Sequence, residues 1–460
     1  MLDQDLAASL GTALRGDVLT ADDAGYDAAR ALYNGMIDLN PRIIARCADV
    51  ADVIAAVNFG REHEIAIAIR GGGHNGAGFG SVEGGLVIDL GRMRDVRVDP
   101  AARTIRAAAG CTWGDVDHAA HAFGLAVPSG IFSTTGVGGL TLGGGHGYLS
   151  RKHGLTIDSL VEVDVVLADG RFVTANADSH PELFWALRGG GGNFGVATSF
   201  LFRGHPATRV FGGPVAYGLA EARKIMRRYR GWLPRAPEDL CVFLGLKSVP
   251  SIDPFPRERW GQRMCLLMTC FDGPEAEGRR AMAGLFEGLP EPWFDWRGEM
   301  PYPAIQSMFD PVLPSGLQWY WRADFVRDLP DAAIEAHLAE IARAPSELSV
   351  MHLYPIDGAV RRKARDATAW ACRDATWSMV IAGIDPDPAK APELKAWAHA
   401  YWEAVHPFNP GGAYPNFMMD DEASERLRET FGPNLLRLAE AKRRYDPENL
   451  FRRNPNIRPA

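Results

Sequence analysis

Three glycine-rich segments contain the residues whose spacing could support binding chemistry. Nine of the 50 glycines lie within residues 70–92, seven within residues 136–147 and five within residues 189–195. Clusters of this kind occur where a backbone turns through positive φ or approaches a ligand closely. Consecutive N–H groups in such turns form concave anion sites that can hold a diphosphate without a lysine. The clusters therefore predict a nucleotide site, and a structural loop without a ligand is the alternative.

The dinucleotide fingerprint GxGxxG occurs twice, but neither copy has the sequence context of a Rossmann fold. The copy at residues 71–76 follows a predicted strand at 65–69, yet further glycines stand where the fingerprint requires a helix. The copy at residues 190–195 follows a predicted helix and precedes a predicted strand, which is the reverse order. A Rossmann-type NAD site is therefore disfavoured.

Histidines are the other side chains in these segments that could do chemistry. His74 lies inside the first cluster, where it is either a polar loop residue or a group that acts on a cofactor. His118 and His121 have helical i, i+3 spacing, but no third ligand accompanies them at a metal-site spacing, so no metal is predicted. The sequence also lacks a P-loop and a GxSxG elbow, which argues against phosphoryl transfer and serine hydrolysis.

The composition is that of an ordinary globular protein. The 460 residues are 47% hydrophobic and 23% charged, and the formal net charge is −8. This charge argues against nucleic acid or an anionic membrane as the main partner. Six scattered cysteines form no CxxC pair, and the N-terminus shows no secretory signal, so a cytoplasmic location is expected. Residues 129–150 contain no Asp, Glu, Lys or Arg, but they are too rich in glycine to predict a membrane span.

The predicted elements indicate an α+β protein whose two parts differ in their secondary structure. Strands, helices and glycine loops alternate up to about residue 203; thereafter strands are predicted at 241–249, 263–271, 317–326, 348–356 and 376–384. In the 317–326 strand, apolar residues alternate with polar ones, which indicates a sheet with two different faces. Tyr320 and Arg322 are on the polar face, which we expect to line a substrate cavity; a half-solvated sheet is the alternative.

Taken together, the motifs resemble one known family. The segments RGGGHN, GGLVIDLGRM, TGVGGLTLGGGHGYLSRKHGLTID, PELFWALRGGGGNFGVAT, AYPNF and KRRYDPENLFRRNPNIRP are similar, in this order, to berberine-bridge-enzyme-like flavoprotein oxidases. These oxidases belong to the vanillyl-alcohol-oxidase superfamily. The resemblance covers essentially the whole chain and is loosest in the middle third.

The resemblance implies a two-domain α+β fold of the vanillyl-alcohol-oxidase type. Residues 1–204 and 409–460 would form the FAD-binding domain, and residues 205–408 an antiparallel-sheet substrate-binding domain. His74 would be bonded covalently to the 8α-methyl group of the flavin. Phe132 stands where many members have a second linking cysteine, so a single histidyl bond is expected. This pattern is similar to the bacterial monocovalent branch that includes hydroxynicotine-oxidase-like enzymes.

The resemblance also assigns site residues. Thr135 matches a position beside the flavin that is thought to influence oxygen access. The implied FAD-binding residues are Arg70, Gly71, Gly72, Gly73, His74, Asn75, Thr135, Gly136, Gly138, Gly139, Thr141, Leu142, Gly143, Gly145, Val196, Asn416 and Asn454. Tyr414 matches a tyrosine that some relatives use as a catalytic base, and a ring that only packs against the flavin is the alternative.

The implied activity is oxidation of a small molecule. Hydride would pass from a C–H bond next to O–H or N–H to flavin N5, and O₂ would reoxidise the flavin to give hydrogen peroxide. The alternatives are a dehydrogenase or oxygenase of secondary metabolism acting on a polyketide-like or alkaloid-like substrate, and a flavin-binding protein without turnover. The sequence predicts no oligomeric state.

Overall fold

The protein is a mixed α+β structure, described here by a computed structural model that covers residues 2–422 and 424–460. This confirms the expected fold class. The strands are β1 (Asp17–Leu19), β2 (Ile43–Arg46), β3 (Ile67–Arg70), β4 (Leu86–Asp89), β5 (Val96–Asp99), β6 (Thr104–Ala108), β7 (Leu125–Ala126), β8 (Leu160–Val166), β9 (Phe172–Asn176), β10 (Val196–Arg203), β11 (His205–Pro206), β12 (Arg209–Gly218), β13 (Leu240–Ser248), β14 (Arg263–Phe271), β15 (Phe294–Asp295), β16 (Gly298–Pro301), β17 (Gln318–Val326), β18 (Val350–Pro355) and β19 (Trp377–Asp385).

The α-helices are distributed between these strands. They are α1 (Leu2–Ala13), α2 (Tyr26–Arg30), α3 (Val50–Glu62), α4 (Trp113–His121), α5 (Val137–Leu142), α6 (Ser150–His153), α7 (Pro181–Leu187), α8 (Leu219–Trp232), α9 (Glu275–Phe286), α10 (Tyr302–Gln306), α11 (Asp331–Ala342), α12 (Ala391–Val405), α13 (Ser424–Phe431) and α14 (Asn434–Tyr445). No helix in the described chain is long and apolar enough to cross a membrane.

The first half of the chain forms two small sheets that bring the glycine clusters together. One sheet has the order β1-β2-β4-β3, with β2, β4 and β3 parallel, and the other has the antiparallel order β5-β6-β10-β8-β9. The first glycine cluster begins where β3 ends, at Arg70. The third lies between α7 and β10, which confirms that its fingerprint has the order helix, loop, strand.

The second part of the chain forms one large antiparallel sheet. Its order is β15-β12-β14-β13-β18-β19-β17, with β16 also paired to β12. The five strands expected from the sequence in this region are present as β13, β14, β17, β18 and β19. Helices α8, α11 and α12 pack together on one face of the sheet, so the opposite face is available for a binding site.

The C-terminal segment returns to the N-terminal half. The buried ammonium of Lys442 donates hydrogen bonds to the carbonyls of Asn193 and Phe451 and to the Asp446 carboxylate. The Ile457 N–H donates to the Asn193 side chain at 3.0 Å. A domain built from residues 1–204 and 409–460 would need such packing, and the exact division of the chain stays a prediction.

Candidate active site

A cavity lies between the glycine loops, the large sheet and the C-terminal segment. All three glycine clusters contribute residues to its lining, together with β17, β18 and β19. Fourteen of the residues expected at a flavin or catalytic site line it. They are Arg70, Gly71, Gly72, Gly73, His74, Asn75, Thr135, Gly136, Gly138, Gly139, Leu142, Tyr414, Asn416 and Asn454.

Two glycine loops cross at van der Waals contact in the cavity wall. A Cβ on Gly72 would lie 2.5 Å from the Gly136 nitrogen, so neither loop tolerates a side chain at this crossing. The N–H groups of residues 72–75 donate no hydrogen bond to any described part of the chain. Gly138 and Gly139 are in the first turn of α5, where N–H groups lack helical partners. This concentration of free donors fits a diphosphate.

The charges of the cavity wall also fit an anionic cofactor. Arg70 pairs with Asp89 at 2.8 Å, yet its Nη1 is buried without a partner in the described residues. Arg453 donates from Nε to the Ser81 carbonyl at 3.0 Å and also lines the cavity. The described lining contains no aspartate or glutamate. The donors and the charges present therefore suit FAD.

His74 is held in a defined orientation at the edge of this cavity. Its Nε2 is 2.9 Å from Thr134 Oγ1, and its ring stacks on Tyr33 with 3.9 Å between centroids. Tyr33 is fixed in turn because its hydroxyl donates to the Leu313 carbonyl at 2.6 Å. Loss of solvation lowers the pKa of His74 to about 4, so the imidazole is neutral at physiological pH. If Nε2 carries the proton and donates to Thr134, Nδ1 keeps its lone pair.

Tyr414 is positioned by two hydrogen bonds to its hydroxyl oxygen. The Gly145 N–H donates to it at 3.0 Å, and Asn416 Nδ2 donates at 2.7 Å. Asn416 also donates to the Leu140 carbonyl at 3.1 Å, which ties the C-terminal loop to α5. Burial raises the pKa of Tyr414 well above its usual value, although both donors favour the phenolate. The hydroxyl proton itself has no acceptor among the described residues.

Aromatic rings connect His74 to Tyr414 along the cavity. Tyr33, Trp319, Trp321 and Phe417 follow one another with centroid separations of 5.6, 5.9 and 5.9 Å. The Phe417 ring lies 4.9 Å from that of Tyr414.

His146 is the next ring, 4.6 Å from Tyr414. It is buried, and both of its ring nitrogens lack a hydrogen-bond partner in the described chain. Burial lowers its pKa to about 3, so it is a neutral imidazole with an available lone pair.

Four expected cofactor residues do not line the cavity. A side chain at Gly143 would collide with the Asn416 carboxamide, so this glycine admits the loop that carries Tyr414. Gly145 contributes its N–H to Tyr414 instead. The other two are fully buried within secondary structure: Thr141 is in α5 and Val196 begins β10. The four residues are Thr141, Gly143, Gly145 and Val196.

The expected orientation of Tyr320 and Arg322 is wrong. The Tyr320 hydroxyl lies 2.7 Å from His399 Nε2 on α12 and donates to Asp421 at 2.8 Å. Arg322 pairs with Asp421 at 2.9 Å. Both are buried under the helices, because this ion-pair network satisfies their polar groups there. Trp319 and Trp321, on the other face of β17, line the cavity, and most of the cavity lining is apolar.

Several residues that line the cavity were not predicted from the sequence. Trp319 and Trp321 line the cavity. The alternation in this strand would have predicted them if its apolar face, and not its polar face, had been assigned to the cavity. His146 stands in the second glycine cluster, but nothing in its local sequence showed a partner. Arg453 and Tyr354 reach the cavity only through tertiary packing, so no local signal could have found them.

Comparisons with known proteins agree with this geometry. A family model described as an FAD binding domain matches residues 41–176, and one described as berberine and berberine like matches residues 413–458. (R)-6-hydroxynicotine oxidase of Paenarthrobacter nicotinovorans is 30% identical over 99% of each chain. An FAD-linked oxidoreductase of Dictyostelium discoideum is 30% identical over 91% of this chain and 89% of its own length. The chain belongs to the berberine-bridge-enzyme-like family of FAD-linked oxidoreductases.

Solved structures of this family have the same fold. The 6-hydroxy-D-nicotine oxidase of Arthrobacter nicotinovorans superimposes with a TM-score of 0.87 at 26% identity, over 97% of this chain and 98% of the other. A variant of berberine-bridge-enzyme-like protein 1 of Physcomitrella patens gives 0.87 at 25% identity, over 99% of each chain. The protein is therefore an FAD-linked oxidoreductase, and its cavity has the donors and charges that FAD requires.

Gly139 offers a direct test of the cavity as the FAD site. A Cβ at Gly139 would meet nothing within 4 Å, and this residue lines the cavity. We expect Gly139→Leu to fold but to purify with well under one FAD per chain, measured by absorbance after denaturation. Gly231→Leu is the matched control, because Gly231 is also an exposed helical glycine with open space at Cβ but does not line the cavity. Full FAD occupancy in Gly139→Leu, with unchanged circular dichroism, would contradict the assignment.

Proposed function

We propose that this enzyme is an oxidase that removes hydride from a C–H bond next to an O–H or N–H group of a small molecule. Bound FAD would supply the chemistry of this reaction, namely a hydride acceptor at N5 and electron transfer to O₂ that yields hydrogen peroxide. The observation that carries the proposal is the meeting of His74 and Tyr414 in one aromatic-lined cavity. The proposal is also supported by a relative that is named as an oxidase and is 30% identical over 99% of each chain.

The oxidase proposal is tested by measuring peroxide directly. We expect one H₂O₂ per substrate oxidised, and reoxidation of the reduced enzyme within seconds in air-saturated buffer. The screen covers alkaloids, sugars and phenolic polyketides. Slow reoxidation in air with fast reoxidation by an artificial acceptor would make the protein a dehydrogenase. If no compound of the panel bleaches the flavin without oxygen, the protein binds flavin without turnover.

His74 is suited to a covalent bond with the flavin 8α carbon. A nucleophilic nitrogen needs a free lone pair, and the lowered pKa of His74 keeps the imidazole neutral. The Tyr33 stack and the Thr134 contact restrict the ring to one orientation. Phe132 also lines the cavity, with its ring 6.5 Å from that of His74, and it offers no thiol. A single histidyl link is the consequence.

The covalent link predicts that the flavin stays with the denatured chain. Acid precipitation should give a yellow pellet, and the intact mass should exceed that of the polypeptide by one FAD. We expect His74→Ala to release all flavin into the supernatant. His352→Ala removes a different cavity histidine and should leave the flavin attached. A colourless pellet from the unaltered protein would overturn the assignment.

Tyr414 is proposed to take the proton of the substrate heteroatom as the C–H bond breaks. Its oxygen already accepts two hydrogen bonds, and both remain to stabilise the phenolate form. The buried position keeps this group away from bulk water, so the proton passes between substrate and Tyr414 Oη. Asn416 acts as a positioning residue because it holds that hydroxyl and α5 together.

Replacing the hydroxyl tests this role. Tyr414→Phe should slow anaerobic flavin reduction by ~10²–10⁴-fold. Because burial raises the pKa of Tyr414 above 10, the phenolate fraction keeps increasing from pH 7 to 10, so the reduction rate should rise over this range without a plateau. Stopped-flow absorbance gives both quantities. Tyr148→Phe is the control, since the Tyr148 hydroxyl is buried without a partner in the described chain and does not line the cavity. An unchanged rate with a flat pH profile would make Tyr414 a packing residue and leave His146 as the proton acceptor.

A further inference from the structure

The cavity-facing side of the large sheet contains a buried lysine that has no partner among the residues the structure describes. Lys247 is on β13, where it pairs with Val350 of β18 and Met264 of β14. Paired residues of antiparallel strands are on the same face of a sheet. Val350 lines the cavity, so Lys247 is on the same face of the sheet, one strand beyond the lining residues of β18.

The side chain of His352 is the polar neighbour of Lys247 on this face. It pairs with Gly245, and a Cβ at Gly245 would lie 2.9 Å from the His352 ring, so this ring lies over β13 at Gly245, two residues before Lys247. His352 Nδ1 is 2.7 Å from the Tyr354 hydroxyl. Burial, together with the charge of Lys247, lowers the pKa of His352 to about 3, so this histidine is neutral. Lys247, His352 and Tyr354 form a polar row beside otherwise apolar wall residues.

Lys247 differs from the other deeply buried lysine in having no acceptor. Lys247 is 6% exposed and Lys442 is 0% exposed. Lys442 donates to two carbonyls and one carboxylate, whereas Lys247 makes no hydrogen bond or ion pair with any residue the structure describes. A buried ammonium without a counter-charge is strongly unfavourable, and burial lowers the pKa of Lys247 to about 8. The amine is still mostly protonated at neutral pH. The described residues give it no counter-charge, so a bound anion would supply the missing partner.

The remaining cavity groups favour the same kind of ligand. The described lining contains no carboxylate that could neutralise a cationic amine. The indole Nε1 groups of Trp319 and Trp321 are buried donors that have no acceptor among the described residues. A donor-rich, aromatic and acid-free wall suits an aromatic molecule that carries an anionic oxygen.

We propose that Lys247 is the anion-recognition residue of the substrate site, so that the substrate is an aromatic carboxylate or phenolate and not a cationic amine. The inference rests on the proposed function only in treating this cavity as the place where substrate binds. The rings of Trp319, Trp321 and Phe417 line the cavity and would pack against the aromatic part. Lys247 would reach the anionic oxygen from the strand next to the lining residues Val350 and His352.

The test measures binding to the FAD-loaded enzyme near pH 7 by perturbation of the flavin spectrum, without turnover. The probes are benzoate and pentafluorophenolate, with benzamide and benzylamine as neutral and cationic counterparts. We expect the anions to bind most tightly and Lys247→Met to weaken their binding ~10–100-fold, with little effect on benzamide. Lys247→Arg should retain the preference, and Lys224→Met, at the exposed surface of α8, should change nothing. Whether benzoate or pentafluorophenolate binds more tightly separates carboxylate from phenolate.

A second measurement separates recognition from a structural role. Without ligand, Lys247→Met should leave the Tm unchanged or raise it, because it removes an unpaired buried charge. A lower Tm would mean that the amine stabilises the fold and would overturn the proposal, as would equal binding of anion and amide or no response to either anion. If the enzyme releases peroxide but shows no anion preference, only the Lys247 assignment fails. If it forms no peroxide, the binding measurement stands unchanged.

Discussion

The hydrogen bond from the Gly145 N–H to the Tyr414 hydroxyl joins positions 269 residues apart, and the arrangement of the site depends on it. It places the C-terminal loop against α5, and Asn416 adds a second contact to the Leu140 carbonyl. Each buried polar group left unpaired would cost about 1–3 kcal/mol. The loop therefore has one favourable position, in which a phenol hydroxyl lies in the cavity wall. Gly143 permits this position because a larger residue would occupy the space of the Asn416 carboxamide.

Charge is distributed unevenly along the cavity. Arg70 and Arg453 stand among the glycine loops, where a diphosphate would need them. Lys247 is on the sheet side, and the carboxylates of this region are engaged elsewhere: Asp421 lies under α12, paired with Arg322. Because a low-dielectric wall strengthens each of these interactions, a few cations suffice to select the ligands that the cavity accepts.

The sheet shows why local patterns predict elements better than they predict faces. The alternation in residues 317–326 correctly indicated a strand with two unlike sides, and the structure has β17 there. The inference that the polar side lines the cavity failed, because helix α12 and Asp421 provide partners for Tyr320 and Arg322. Those partners lie about 80 to 100 residues away in sequence. No pattern within the strand could distinguish an aqueous cavity from one lined by aromatic rings.

The sequence alone determined the α+β class, the family resemblance and the main binding loops, since glycine clusters and strand alternation act over a few residues. It also singled out His74 and Tyr414, whose motifs are local. Tertiary structure alone decided which residues face each other. It crosses Gly72 with Gly136, and it leaves the ring nitrogens of His146 and the amine of Lys247 without a partner among the described residues. Whether a buried polar group has a partner depends on strands and loops that meet only after folding, so its chemistry cannot be read from its own segment.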